Sequence, residues 1–278
     1  GISPRKAGRS VYIEIEKGVR LFVQDINPGE GSRPVVFVHG WPVNHKMFEY
    51  QYNVLPQYGF RCIGLDLRGF GQSDKPWHGY SLNRLADDVG IVLETLQLEK
   101  AALLGFSLGG AVAIRYMARH NGRRIEKLAL VDAAAPVFTQ RPDYPFGLSG
   151  EQVDNMIRQL YNNRPLMLTE FGRMFFNRNI GVEMLDWFHG LGLEASSYAT
   201  IQSMMMLKDE DLRKDLRKIH VPTGIFHGVH DQIVHFANAQ VLHREIAGAQ
   251  LYPFYNSGHG VVIDEMEAFN SALIRFLQ

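Results

Sequence analysis

Ala101-Ala-Leu-Leu-Gly-Phe-Ser107-Leu-Gly-Gly110 is the stretch whose reading decides the fold. Residues 101–104 are a short apolar run with the character of a strand buried on both faces. The run breaks at Gly105-Phe106-Ser107-Leu108-Gly109, a G-x-S-x-G, and a helical pattern follows over 108–120. On a sharp strand-to-helix turn the serine hydroxyl stands clear of both backbone arms, and small flanking residues relieve the crowding this creates. With glycine near 7% of residues and serine taken as equally common, such a pentapeptide arises by chance in about one chain in ten of this length. The surrounding pattern must therefore carry the reading.

That pattern is regular on both sides of the turn. Short β-type runs at 11–15 and 21–24 predict an N-terminal hairpin, and 34–39 reads as a continuous apolar strand ending in His39-Gly40-Trp41-Pro42. A helix is expected over 48–55, a strand over 60–66, and then a glycine-rich loop, Arg68-Gly-Phe-Gly-Gln-Ser-Asp74. Leu82, Leu85, Val89, Val92, Leu93 and Leu96 recur at three- and four-residue spacings, which predicts a helix capped by Ser81. Residues 127–131 form the next buried strand. Alternation of strand and helix argues an α/β fold with a mostly parallel, eight-stranded sheet flanked by helices.

The alternation stops after Asp132. Over 136–218 no convincing strand is found, and the helical patches there are rich in Phe171, Met174, Phe175, Phe176, Met184, Leu185, Trp187, Phe188 and Met204-Met205-Met206. Such residues serve as helix core, or some of them line an apolar pocket beneath a helical cap. Leu207, Leu212, Leu216 and Ile219 predict an amphipathic helix leading back to the sheet. Strands at 223–228 and 250–254 and helices at 236–246 and 265–277 complete the chain. The expected layout is a core made of 1–135 and 219–278, with 136–218 as an inserted helical cap.

Composition sets the broad class. With 278 residues the chain can bury a large core, and Lys+Arg and Asp+Glu balance at 29 each, so nothing points to a nucleic-acid or anionic-membrane partner. The single cysteine, Cys62, lies in an apolar run and reads as a buried thiol. The opening Gly1-Ile-Ser-Pro-Arg-Lys has no apolar h-region and no stretch reaches transmembrane length, so a soluble, cytoplasmic protein is expected. A chain that opens on glycine leaves open a leader or tag removed before it. A homo-oligomer is compatible with the sequence but not inferable from it.

A serine nucleophile needs a base, an acid to orient the base, and donors for the oxyanion. Downstream of Ser107, the loop after 223–228 offers Asp231, and Ser257-Gly-His259-Gly260 follows the last strand. Both lie where catalytic groups gather in open α/β sheets, outside the carboxyl ends of the strands. The order serine, acid, histidine matches. Asp132 is a rival for the acid, because it also ends a strand, although it could instead bond the backbone of the turn that follows; Asp231 is preferred. Backbone N–H groups of Trp41 and Leu108 are the expected oxyanion donors, and Pro42 has none to give. His227, His230 and His235 surround Asp231, but they form no helical i, i+4 pair, so no metal site is expected.

Taken together, His39-Gly-Trp-Pro42, Asp66-Leu-Arg-Gly-Phe-Gly-Gln-Ser-Asp74, Gly105-Phe-Ser-Leu-Gly-Gly110, His227-Gly-Val-His-Asp231 with Gln232-Ile-Val234, and Ser257-Gly-His-Gly260 resemble the α/β-hydrolase superfamily. Within it the chain is most similar to the small aryl esterases and cofactor-free haloperoxidases, also called perhydrolases, and Gln140-Arg-Pro-Asp-Tyr-Pro145 belongs to the likeness. The resemblance implies a hydrolase using Ser107, Asp231 and His259 on small-molecule carboxylic esters without metal or organic cofactor. It also implies relatives in which hydrogen peroxide replaces water on the acyl-enzyme. One departure is Gly228-Val-His-Asp231, where the family often has Gly-Asp-x-Asp; the final aspartate is kept. The methionine- and phenylalanine-rich cap is the other, and it leaves acyl and alcohol preference open. Dehalogenases and epoxide hydrolases need a carboxylate at the position of Ser107, so serine there argues strongly against both. A lactonase, a carbon-carbon bond hydrolase or a ligand receptor could keep the same three residues.

Overall fold

The computed structural model describes residues 8–278; the opening residues 1–6, read above for a leader, lie outside them. The strands are β1 (Arg9–Glu16), β2 (Val19–Ile26), β3 (Arg33–Val38), β4 (Phe60–Leu65), β5 (Ala101–Phe106), β6 (Ile125–Val131), β7 (Thr223–Gly228) and β8 (Gln250–Phe254). They form one eight-stranded sheet in the order β1-β2-β4-β3-β5-β6-β7-β8. The β1–β2 hairpin joins antiparallel to β4, and every later pairing is parallel. All six residues of β5 are buried, as a central strand covered on both faces requires.

The sheet grows outward from β3 in both directions, to β4 on one side and β5 on the other. A crevice therefore opens at the carboxyl ends of β3 and β5, where the strand order reverses. The loop that starts at His39 and the turn at Ser107 both leave the sheet at this point. Helices α1 (Glu49–Tyr52), α2 (Leu82–Thr95) and α3 (Leu108–Arg119) follow strands of the first half. Between β6 and β7 stand four helices, α4 (Gly150–Asn162), α5 (Arg164–Phe175), α6 (Val182–Leu193) and α7 (Ser197–Asp209), and α8 (Phe236–Glu245), α9 (Val261–Asp264) and α10 (Met266–Leu277) end the chain. Ser81 caps α2 by accepting the Arg84 N–H at 3.1 Å. No helix among the described residues is long and apolar enough to cross a membrane.

Two expected helices are not continuous. The 48–55 segment is split into a 3₁₀ turn (His45–Phe48), the four-residue α1 and a second 3₁₀ turn (Leu55–Tyr58) that opens with Pro56 at its start. Proline has no N–H to continue the ladder. The amphipathic run 207–219 also breaks: Glu210 turns extended, Asp211 bridges to Val137, and Leu216–Lys218 makes a single 3₁₀ turn. Its apolar residues still face the core, with Leu212, Leu216 and Ile219 buried. At the break, Arg115 of α3 holds Glu210 at 2.6 Å and Asp215 at 2.7 Å. Periodicity reported burial correctly and backbone continuity incorrectly.

Candidate active site

Ser107 occupies the turn between β5 and α3 with φ 52° and ψ −114°, a backbone conformation that non-glycine residues rarely hold. The strain persists because the surroundings over-determine it. The Ser107 N–H donates to Val131 O at 3.0 Å, and its carbonyl accepts the N–H groups of Gly110 and Ala134 at 2.9 Å each. The flanking glycines have a steric cause: a Cβ at Gly105 would stand 2.2 Å from Gly109 O, and one at Gly109 would stand 2.1 Å from Val38 O. Both obstacles are backbone and cannot swing away.

His259 and Asp231 converge on this serine from the loops after β8 and β7. His259 Nε2 lies 3.0 Å from Ser107 Oγ, and His259 Nδ1 lies 2.8 Å from Asp231 Oδ2. The other carboxylate oxygen, Oδ1, accepts the N–H groups of Ile233 and Val234 at 2.9 Å each. An acceptor-only carboxylate against Nδ1 fixes the proton there and leaves the Nε2 lone pair facing the serine hydroxyl. Burial alone would raise the Asp231 carboxyl, but the His259 and His227 imidazoles hold it well below the usual carboxylate range.

Asp132 sits on the far side of this pair. Its Oδ2 accepts the Gly228 N–H at 3.1 Å, so it bonds the end of β7 and not the turn leading into 136–218. Burial and the charge of Asp231 push its carboxyl well above the ordinary range. Two carboxylates this close cannot both ionise without cost, and the upward shift falls on Asp132. Donor atoms of Asp132, His227 and Asp231 lie within 4.8 Å of one another, the spacing of a cation site. Their hydrogen bonds argue otherwise. His227 Nε2 is 2.7 Å from the Val234 carbonyl and therefore carries a proton, while both Asp231 oxygens already accept N–H groups. His230 and His235 are exposed.

The loop after β3 crosses directly over the serine: a Cβ at Gly40 would stand 3.0 Å from Ser107 Cβ. Its orientation is set by His39. Leu67 N–H donates to His39 Nε2 at 2.9 Å, so the proton is on Nδ1, which donates to Gly40 O at 2.9 Å. Burial pushes the His39 pKa down to about 4, which keeps this neutral tautomer in place. Pinning the Gly40 carbonyl fixes the whole peptide plane and with it the direction of the Trp41 N–H. That N–H has no backbone acceptor among the described residues. Leu108, the first residue of α3, has none within its helix either. The Trp41 indole Nε1 donates to Thr200 O of α7 at 3.0 Å.

Aromatic rings enclose the histidine and serine. Phe175 meets the His259 ring edge-on at 4.7 Å, Phe106 lies 4.9 Å from it, and Phe171 packs against Trp41 at 5.0 Å. Phe176 and Phe188 complete the cluster around Phe175. The sequence left core and pocket undivided for these residues, because both ask for large apolar side chains. In the structure Phe175 is fully buried, whereas Met174 and Met205 are 43% and 48% exposed. Beyond Phe171 opens a cavity of about 80 Å³ lined chiefly by Leu148, Met156, Met167, Phe171, Met174 and Ile233. Phe171 and Ile233 belong to both the cavity and the surroundings of the hydrogen-bonded residues. Sequence placed His39 only in the loop ahead of Trp41, and Phe175 only among residues that are core or pocket; their contacts with Gly40 O and with the His259 ring come from the structure.

Comparison with known proteins places the chain in a family. Residues 33–266 match the model of the alpha/beta hydrolase fold. The chain is 54% identical to "AB hydrolase superfamily protein YisY" of Bacillus subtilis over 95% of this chain and 98% of that one. It is 30% identical to "Bifunctional esterase/perhydrolase DCH" of Acinetobacter calcoaceticus, over 96% of this chain and 99% of the relative. Among solved structures, an esterase from Exiguobacterium antarcticum superposes with a TM-score of 0.93 at 45% identity, covering 96% of this chain and 99% of the esterase.

Proposed function

The chain belongs to the alpha/beta hydrolase fold family, and from that premise we propose that it is a serine hydrolase of small to medium carboxylic esters, working through an acyl-serine intermediate. One observation carries the reading: the hydrogen-bonded run from Ser107 through His259 to Asp231, at 3.0 and 2.8 Å. In this reading Ser107 Oγ attacks the ester carbonyl carbon while its proton passes to His259 Nε2. Asp231 stabilises the imidazolium, and the N–H groups of Trp41 and Leu108 meet the charge that grows on the carbonyl oxygen. His259 then returns the proton to the departing alkoxide, leaving acyl-Ser107 and free alcohol. Water repeats the sequence in reverse: its proton goes to His259, its oxygen bonds to the acyl carbon, and the Ser107 oxygen leaves with the proton. No step calls on a metal or organic cofactor.

Residues 136–218 serve in this proposal as a cap over a core of 1–135 and 219–278. The methionine-lined cavity beside Phe171 would receive the apolar part of the substrate. Hydrogen peroxide can take the place of water in the second half-reaction, giving a peracid. Similarity to a bifunctional esterase/perhydrolase supports including that side activity. The test is hydrolysis of p-nitrophenyl acetate and butyrate by the wild type and Ser107→Ala, followed by an ester panel with and without peroxide. Loss of turnover in Ser107→Ala, with a covalent acyl adduct trapped on the wild type alone, is expected. Turnover by Ser107→Ala above background would overturn the assignment.

A further inference from the structure

A second carboxylate, outside the three residues above, organises the loop that carries His259. Asp264, the last residue of α9, is 1% exposed. Its Oδ2 accepts two backbone N–H groups at 2.8 Å each, from Gly258, the residue before His259, and from Asn177 in the connection between α5 and α6. Its Oδ1 accepts the Arg178 N–H at 3.0 Å. The connection is bound to the loop at three further points. Gly260 N–H, just after His259, donates to Phe175 O at 2.8 Å; Asn177 Nδ2 donates to Asn256 O at 3.0 Å; and the Arg178 guanidinium donates to Asp264 O at 3.0 Å.

Both neighbours of His259 are therefore fastened to the segment that begins with Phe175, whose ring covers the imidazole. The fit leaves no room for side chains there: a Cβ at Gly258 would lie 3.0 Å from Asn177 N, and one at Gly260 would lie 2.4 Å from the Phe176 ring. Three convergent N–H donors need an acceptor with two free oxygens, which a carboxylate supplies and an amide does not.

We propose that Asp264 is a positioning residue for the reaction: by clamping the His259 loop to the α5–α6 connection, it sets the imidazole against Ser107 and the Phe175 ring against the imidazole as one unit. The proposal rests on the reading of His259 as the base. A displacement of about 1 Å at a reacting group can cost about 100-fold in rate. Asp264→Ala, which removes all three acceptor contacts, is expected to lower kcat about 30- to 100-fold with KM within about threefold. Asp264→Asn keeps one oxygen and should fall between Ala and wild type.

The experiment measures kcat and KM on p-nitrophenyl butyrate for wild type, Asp264→Asn, Asp264→Ala and Ser107→Ala. Each rate is normalised to competent serines counted by end-point phosphonate labelling. Proton NMR of the His259 Nδ1–H signal accompanies it. Graded loss of kcat per labelled site, with that signal moved or broadened in a folded variant, supports the clamp. Turnover per labelled site within twofold of wild type in a folded Asp264 variant overturns it, and Asp264→Asn alone decides if Asp264→Ala does not fold. Residual turnover in Ser107→Ala would instead sink the nucleophile assignment, so the two failures are distinguishable.

Discussion

Replacing Asp231 by asparagine tests the reading at its most specific point, because the surrounding hydrogen bonds dictate which way the new amide must face. Oδ1 accepts the buried N–H groups of Ile233 and Val234, so the single oxygen of asparagine is drawn to that position. Flipping the amide would leave both donors unpaired, at about 1–3 kcal/mol each. In the favoured orientation the amide NH2 replaces Oδ2, 2.8 Å from His259 Nδ1. A donor there forces the imidazole proton to Nε2, which faces Ser107 Oγ at 3.0 Å and can then no longer accept its proton. His227 Nε2 lies 3.3 Å from Asp231 Oδ2 but keeps the Val234 carbonyl, at 2.7 Å, as its acceptor.

The expected result is a folded enzyme whose kcat drops about 10³- to 10⁴-fold, the scale on which a wrong histidine tautomer acts. KM should change little, since Asp231 touches no substrate in the proposed reaction. Steady-state p-nitrophenyl butyrate hydrolysis, with circular dichroism as a fold control, measures both. Lowering pH to 5 does not mimic the exchange, because Asp231 is held below the ordinary value of about 4 and stays ionised there. Turnover within tenfold of wild type would refute the tautomer argument. A dead Asp132→Asn beside an active Asp231→Asn would transfer the role to Asp132.

The remaining predictions concern the supports of the site. Asp132→Asn keeps the acceptor for Gly228 N–H and is neutral at every pH, so turnover should stay within about threefold of wild type. Its stability should follow from the raised Asp132 pKa. A raised folded-state value makes ionisation costly above the unfolded value of about 4, so the variant should melt at or above wild type near pH 7, and the gap should close toward pH 4. Gly109→Ala places a methyl 2.1 Å from Val38 O and 2.5 Å from His39 O, both backbone, and should give insoluble protein or a thermal midpoint lowered by many degrees. Trp41→Phe removes the indole bond to Thr200 O; a stability loss of about 1–2 kcal/mol by urea titration is expected, with the Trp41 N–H and part of kcat retained.

The legible part of this protein was the part written in local pattern. Buried apolar runs, helical spacings and glycine-bounded turns placed every strand of the sheet, because strand burial and turn sterics act over a few residues. Ser107, His259 and Asp231 could be named as candidates for the same reason: each follows a strand and stands at the end where an open α/β sheet gathers its functional groups. Local pattern failed over 207–219, where the helix favoured by the spacing of Leu207, Leu212, Leu216 and Ile219 breaks and Glu210 and Asp215 pair with the distant Arg115 of α3.

What the tertiary structure alone decided is a matter of distance. Sequence preferred Asp231 to Asp132 although both end strands; the structure adds a 2.8 Å approach to His259 Nδ1 on the first and a backbone bond to Gly228 on the second. Sequence could not sort the phenylalanines of 136–218 into core and site, because burial asks the same residue type of both. Only the packing of the α5–α6 connection onto the loop after β8 brings Phe175 to His259 and Asn177 to Asp264, across more than eighty residues of chain in each case. The strained turn at Ser107 marks a candidate nucleophile from five residues; the rings that pack on His259 come from distant parts of the chain.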